Sequence, residues 1–557
     1  MLMSPLPKNP NLLSIIPDFL KNVCCKRTFD RPTLCDSDVK AMDFPSSPSG
    51  SGSALFWLTL VIPLLLLASC GPTTETRVVD REARVTADDA ELIEEEERRV
   101  LKIGEVNQIR SFDPLFAINT ATKRVITLTY EGLVRFNEEN KIDPAAAHSW
   151  EISDDSLRYT FHLREDLFFH DDESFSQGRG RRVNTRDVIR VFERMGSRDV
   201  PPRAAELFMQ SIRGFEAFFM EQREVFLDSE RRVHHIEGIQ AEDNTTITFE
   251  LLEPDPHFLE KLASPYAAIY PSEPFRFRDD GLHQHPVGTG PYRYSSSAGD
   301  SIHVFIRNNS YNRTDDQGNQ LPRLHSIELL NVTDETRLYS RFSRQQLNGI
   351  LELGPQSLYS LVDENNRLKP GMEHMYRLIR NSNPDPLILS YNPDNRFGLN
   401  RSDAAALIRN VDADTIRSIL QYPSLEITFK EQDYRQANIG RIYNRFGEES
   451  ENRLLFAFNQ DIQPRILSAN IYTILDENLN IDLIQRRVFS RDIFLYTDYL
   501  QTYLPETSHE RQPGEILRIQ TDRYMLFDQQ IDGILTNNLA WWIDLNHVNF
   551  TESEQPQ

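Results

Sequence analysis

Apolar positions along the chain switch between a period of two and a period near 3.6, and the switches mark the order of its elements. Leu101-Lys-Ile-Gly-Glu-Val106 sets Leu101 and Ile103 on one face and predicts a first strand. In Arg158-Tyr-Thr-Phe-His-Leu-Arg164 the alternation is strict, with Tyr159, Phe161 and Leu163 on one side, as in a half-buried antiparallel strand. Ile247-Thr-Phe-Glu-Leu251 repeats that pattern, and Leu387-Ile-Leu-Ser390 is a short apolar strand. Helical stretches lie between. Thr122 to Leu133 carries Val125, Leu128 and Leu133 at helical spacing. Asn184 caps a following helix, with Asp187 at its third position and a buried stripe of Val188, Val191, Phe192 and Met195. Leu454 to Asn459, the helical stretch Arg465 to Leu475, and Ile481 to Ile484 have the lengths of a strand, a helix and a strand in a right-handed parallel crossover. Strands and single helices interleave, so the pattern predicts a mixed α/β protein and not a barrel of regular repeats.

The N-terminal region has a different character. From Ala54 to Ser69 the chain runs sixteen residues without a charge, broken by Pro63 and followed at once by Cys70-Gly71. A comfortable transmembrane helix needs about 20 residues, so the run fits a signal-peptide apolar region better. Leu67-Ala68-Ser69-Cys70 resembles the lipobox of bacterial lipoproteins, in which the cysteine is lipidated and becomes the first mature residue. The alternative, an uncleaved anchor, places the bulk of the chain in the same compartment. Some fifty residues precede the run, which departs from such signals, and Met42 is an alternative start that lacks the usual basic residues. Residues 71–96 are polar, acidic and poor in large apolar groups, and so read as a tether. The folded body is expected from near Arg98.

Composition narrows the function. The 557 residues hold 61 Lys+Arg against 84 Asp+Glu, a formal charge of −23, which excludes a nucleic-acid footprint. Cleavage before Cys70 takes the charge to −24. All four cysteines, Cys24, Cys25, Cys35 and Cys70, are N-terminal, so no disulfide framework, cysteine zinc cluster or thiol nucleophile is available downstream. There is no His-Glu-x-x-His and no Gly-x-Ser-x-Gly, and no cofactor, metal or catalytic residue is expected. Gly288-Thr-Gly290 lacks the Lys-Ser/Thr of a phosphate loop, and Pro291 removes an amide, so it reads as a turn into a hinge-proximal strand. His170-Asp171-Asp172 falls short by itself of the three or four converging ligands that a metal site needs. Trp541 and Trp542 read first as core or interlobe packing; as neighbours on a strand they face opposite ways, so at most one of them, taken as Trp541, lines a cleft.

The order of motifs resembles a known family. Ser111-Phe-Asp-Pro114, Tyr130-Glu-Gly-Leu-Val134, Ile142 to Ile152, Tyr159 to Arg164, Phe169-His-Asp171, Val183 to Val188 and His285-Pro-Val-Gly-Thr-Gly-Pro-Tyr-Arg293 follow one another as in the family-5 extracellular solute-binding proteins, the dipeptide, oligopeptide and nickel receptors of bacterial ABC importers. Further on the likeness thins. Gln345 to Leu353, with Leu351 and Glu352, stands where the family favours an Asp-hydrophobic pair, and Ala404 to Leu420 resembles the helix pair that follows. Between Gln421 and Arg453 the chain is shorter than the family's usual excursion.

The resemblance implies a type II periplasmic-binding-protein fold, with two mixed-sheet α/β lobes joined by hinge segments and the ligand between them. The expected division is 1–69 extension and signal, 70–96 tether, 97–320 lobe I, 321–505 an abbreviated lobe II, 506–551 the return to lobe I, and 552–557 a tail. It also implies ligand-binding residues: Asp498, with Tyr496 and Tyr499, as the anchor for a ligand ammonium group, and Phe116 and Asn119 on the opposite lobe. Tyr391 and Asn392, at the end of the apolar strand, are comparable second-lobe candidates. The implied partners are a peptide or other small solute, an ABC permease and ATPase, and the membrane through a lipid on Cys70, with the protein a monomer at the periplasmic face of a bacterial membrane. A non-transport lipoprotein using the same fold as a sensor or structural module is the alternative, and an enzyme on this scaffold comes third.

Overall fold

A computed structural model describes residues 100–298, 301–363, 365–381, 386–392, 397–407, 412–420, 425–429, 454–458, 467, 481–484, 493–497 and 514–551. The expected signal, Cys70 and the tether lie outside these residues. Strand β1 (Val100–Glu105) opens the chain and leads through a turn at Pro114–Phe116 into helix α1 (Thr120–Thr129). The helix is shorter than its apolar spacing predicts. Tyr130 is already extended, and the buried Leu133 leads into β2 (Val134–Phe136), paired with β3 (Ile142–Pro144).

Next come β4 (Ala147–Ile152) and β5 (Arg158–Leu163), then helix α2 (Thr185–Met195), β6 (Ile239–Ala241) and β7 (Thr246–Glu250), whose strands form a sheet in the order β4-β5-β7-β6. The alternation read in β5 is real: Tyr159, Phe161 and Leu163 are buried, and Phe161 pairs with Ile247 across the antiparallel ladder. Asn184 and Asp187 form a reciprocal capping box on α2, a device that contributes about 1 kcal/mol, and the predicted stripe is buried.

The remaining strands build two larger sheets. β8 (Tyr292–Ala298), β9 (Ile302–Arg307), β10 (Ser326–Asn331), β11 (Gly349–Ile350) and β12 (Tyr376–Asn381) join β1 and the late β19 (Arg523–Asp528) in the order β12-β19-β11-β1-β10-β9-β8. β1 runs parallel to both β10 and β11. β19 is buried along almost its whole length, as a central strand covered on both faces must be. β8 lies at the edge farthest from β12, so the Gly288–Gly290 turn does not feed a strand near the sheet junction.

β13 (Leu387–Tyr391), β14 (Leu425–Phe429), β15 (Leu454–Phe458), β16 (Ile481–Ile484), β17 (Ile493–Thr497) and β18 (Gly514–Thr521) form the other sheet, in the order β14-β18-β13-β17-β15-β16. Helices Arg401–Leu407 and Ala413–Leu420 occupy the predicted helix pair. β15 and β16 are parallel, as the strand-helix-strand reading requires, and of the intervening stretch only the helical Leu467 is described.

Two pairs of consecutive strands connect these sheets. β12 and β13 are consecutive strands, one in each sheet, and β18 continues through Asp522 into β19; β12 is antiparallel to β19, and β13 to β18. The expected boundary at 320/321 therefore falls inside the seven-stranded sheet, which extends to Asn381. Likewise β18, expected with the C-terminal return, belongs to the six-stranded sheet, and the return begins at Asp522.

Candidate functional site

In open α/β sheets ligands sit in the crevice outside the carboxyl ends of parallel strands. Here β1, β10 and β11 end together. Asn331, the last residue of β10, ties these ends: its Nδ2 donates to the carbonyls of Glu105 (3.1 Å) and Asn107 (2.7 Å), and its Oδ1 accepts from the Ile109 amide (3.0 Å).

Beside them lies a fully buried charge network. Arg124 Nη1 meets Glu105 Oε2 at 2.6 Å, and Nη2 donates to the Ala540 carbonyl at 2.9 Å. Arg523 Nη1 donates to both oxygens of Glu352 at 3.0 Å, and Asn107 Nδ2 donates to Glu352 Oε2 at 2.8 Å. Arg124 also stands 3.7 Å from Glu352. All four charged side chains are at most 2% exposed, so the pairs are poorly screened and hold strongly once formed. Two guanidinium groups balance two carboxylates. Burial pushes the Glu105 carboxyl above its ordinary range; Arg124 works against that shift and Glu352 adds to it. The network fastens the end of β1, the first turn and a half of α1, the segment after β11, and the first residue of β19. It therefore fixes the sheet passage against the strand ends.

The expected site residues divide. Asn119 is buried and used as a cap: Oδ1 accepts from the Thr122 amide (2.9 Å), and Nδ2 donates to the Gln108 carbonyl (2.7 Å). The half-buried Phe116 packs its ring edge-on against His283, 4.5 Å between centroids. Between them Ile118 is 48% exposed, an apolar side chain facing outward next to the strand ends that the sequence reading passed over. β17 ends at Thr497, in register with Leu387, at the end of the β13–β17 pair nearest the passage. Tyr496 lies on that end, while Asp498 and Tyr499 are outside the described residues. Tyr391 and Asn392 stand at the other end of β13, with Tyr391 roughly 14 Å from Leu387 at 3.4 Å per residue. There the Tyr391 ring crosses Gly514, where a Cβ would come within 1.9 Å of Cε1. The antiparallel register thus separates Tyr391 from Tyr496 rather than uniting them.

Trp541 and Trp542 precede the strand Ile543–Asp544 and are not part of it. With no strand to alternate them, both indoles bury in one cluster with Phe136 and Leu539. His170 is buried too: Nε2 donates to the Gly290 carbonyl at 2.9 Å, and Nδ1 faces the Gly288 amide at 3.5 Å. Among the described residues no group of three or more His, Cys, Asp or Glu side chains is placed to hold a metal, and no helix is long and apolar enough to cross a membrane.

Residues 141–413 match the model for bacterial extracellular solute-binding proteins, family 5 (middle). Residues 141–413 of the chain belong to that family. Among curated relatives, di/tripeptide-binding protein 1 of Pseudomonas aeruginosa (strain UCBPP-PA14) is 30% identical over 212 residues, 37% of this chain and 36% of that one. The probable ABC transporter periplasmic-binding protein SapA of Escherichia coli K12 is 31% identical over 160 residues, 28% of this chain and 26% of that one. The matched part thus spans about a third or less of those relatives' length. Solved structures extend the likeness in shape. Haemophilus influenzae OppA in complex with RPPGFSPFR superposes with a TM-score of 0.62 at 14% identity, covering 82% of this chain and 99% of that one. The substrate-binding domain of an oligopeptide ABC transporter from Bacillus anthracis gives 0.60 at 16%, with the same coverage. The fold is that of type II periplasmic binding proteins.

Proposed function

We propose that the protein is the extracytoplasmic receptor of an ABC importer, which encloses a peptide or peptide-like solute between two lobes and delivers it to a membrane permease. Lobe one takes the strands up to Asn381 and the chain from Asp522 onward; lobe two takes the stretch between. The observation that carries this reading is the double strand passage, Asn381 to Leu387 and Thr521 to Arg523, set beside the carboxyl ends of β1, β10 and β11. A two-strand joint of this kind permits the lobes to close around a solute, with binding shifting the population toward the closed form. Peptide-binding relatives and peptide-bound structures of the same fold support the choice of solute. Asp498 is the proposed partner of the ligand's ammonium group, through a charge-assisted hydrogen bond. Cys70 is the proposed site of lipidation, and its acyl chains hold the receptor at the membrane.

Titration calorimetry of the full-length chain with pools of di-, tri- and longer peptides tests the reading. Saturable binding that Asp498→Ala weakens is the expected result. No binding to any pool overturns it in favour of a sensor or structural role for the same fold. Incorporation of labelled palmitate that is lost in Cys70→Ala checks the anchor.

A further inference from the structure

At the β8 edge of the seven-stranded sheet, the segment 109–112 and the turn at His283-Gln284 meet β8 and β9 around an open cavity of about 230 Å³. Its walls are fastened to one another. The Phe112 amide donates to the His283 carbonyl at 3.0 Å, and the Ile109 amide is held by Asn331. On the strand side, the β8–β9 pairing shifts register between Tyr294 and Ser296, so that Tyr294 pairs with Phe305 and Ser297 with His303. A bulge of one residue turns the following side chains over. Tyr294 and Ser297 therefore share a side, bond to each other, and line the cavity together with His303. The rings of Phe112, Tyr294 and His303 form a continuous aromatic wall, with Phe112 5.0 Å from Tyr294 and 5.2 Å from His303 between centroids.

Its nitrogen groups are set up as donors. The buried Ser111 hydroxyl accepts from the Asp113 amide (3.0 Å) and has His283 Nδ1, 2.7 Å away, as the acceptor for its own hydrogen. The proton of the neutral His283 ring then sits on Nε2. His303 Nδ1 is buried without a partner, and an orphaned buried N–H is rarer than an unused lone pair, so this ring too carries its proton on Nε2. Neither Nε2 is buried, and neither has a hydrogen-bonding partner among the described residues. Arg110 adds the charge. Its Nε donates to Gln108 Oε1 at 3.2 Å, and among the described residues no carboxylate acts on its guanidinium. Nor does any described Asp or Glu line the cavity, in a chain of formal charge −23.

These features define the ligand. Unused N–H donors beside a guanidinium call for an anionic acceptor, and the aromatic wall calls for an apolar body behind it. An inorganic ion meets only the first need. We propose that this cavity is a second ligand site, for a small organic carboxylate whose charged end meets Arg110, His283 and His303 and whose apolar body lies against Phe112 and Tyr294. The inference does not rest on peptide binding at the lobe junction.

Isothermal titration of the full-length chain with sodium benzoate tests it, beside benzyl alcohol, which lacks the carboxylate, and inorganic phosphate, which lacks the apolar body. The expected result is saturable one-site binding of benzoate, at least about tenfold tighter than that of either comparison compound. Arg110 is exposed, so Arg110→Gln leaves the fold in place and should weaken benzoate binding at least about tenfold. His303→Phe, which keeps the ring and removes its donor, should weaken it about fivefold. Arg179→Gln, which removes the same charge from an exposed loop elsewhere, leaves it unchanged. Three outcomes overturn the proposal: no saturable heat with benzoate at about 10 mM; binding of benzyl alcohol or phosphate as tight as that of benzoate; or benzoate binding that Arg110→Gln leaves intact, which moves the ligand to the lobe junction or another part of the surface.

Discussion

His170 gives the sharpest quantitative test of how this fold is held. Its ring is wholly buried between the two glycines of the Gly288-Thr-Gly290 turn, donating to one carbonyl and facing the other residue's amide, so only the Nε2–H tautomer fits. Burial lowers its pKa from 6.5 to about 4, although the bond to the Gly290 carbonyl pulls the other way. In the unfolded chain the ring takes up a proton near 6.5, and in the folded protein not until about 4. Between those values the unfolded state binds more protons, so stability is complete above 6.5 and falls as the pH drops toward 4. The gap amounts to about 3 kcal/mol at roughly 1.4 kcal/mol per pH unit. His170→Gln keeps a donor for Gly290 and removes the titration. Urea unfolding of both proteins across this pH range is the assay, since the other titrating groups cancel in the comparison. The wild type should lose about 3 kcal/mol more than the variant on going from neutral pH to about pH 4. Curves that run parallel to within about 0.5 kcal/mol refute the reasoning.

Three further outcomes are expected. Arg523→Met leaves Glu352 buried beside a neutral side chain and should cost about 3–5 kcal/mol in denaturant unfolding; a cost below about 1 kcal/mol shows that the network does not fix the passage. Gly288→Ala should cost at least about 2 kcal/mol, because its Cβ would stand 2.1 Å from the Thr129 carbonyl oxygen. Gly318→Ala, at φ +83 in open space, should cost only about 1 kcal/mol from backbone strain; equal melting temperatures for these two variants contradict that account. Burial raises the Asp528 carboxyl to about 6, with the Asn348 bond opposing, so its contribution to stability is full below the unfolded value of 3.8 and is lost as the pH rises through 6. A carboxyl NMR titration of Asp528 with a midpoint at the ordinary Asp value counts against it.

Local structure was legible where one residue's neighbours settle its state. Asn184, Asp187 and the apolar stripe behind them specify α2 with its capping box, and the alternation of Tyr159, Phe161 and Leu163 specifies both β5 and its buried face. Leu133 misled because one apolar residue at helical spacing looks the same whether it ends a helix or begins a strand, and the extended Tyr130 decides in favour of the strand. The sheet to which β18 belongs was not legible, because Gly514 to Thr521 pairs with Leu387 to Tyr391 and Leu425 to Phe429, about a hundred residues earlier. The charge network was hidden for the same reason: Arg523 finds Glu352 across 171 positions, and Arg124 finds the Ala540 carbonyl across 416. One clue was present, since Lys123 and Arg124 interrupt the apolar side of α1 next to Val125, and a buried charge there needs a partner. The two tryptophans pack in a core as their favoured reading had it, but from a turn and not from a strand, so both indoles and not one enter the same cluster.

The joint between the two sheets also bears on how such a protein changes over generations. Asn381 and Arg523 are paired in the β12–β19 ladder, so the point where the chain leaves the seven-stranded sheet and the point where it comes back are neighbours. Everything between them is one uninterrupted stretch of the gene. Shortening, lengthening or exchanging that cassette leaves both stumps in place, ready to be closed by a simple hairpin. A lineage can thus refashion the six-stranded sheet while inheriting the seven-stranded one unaltered.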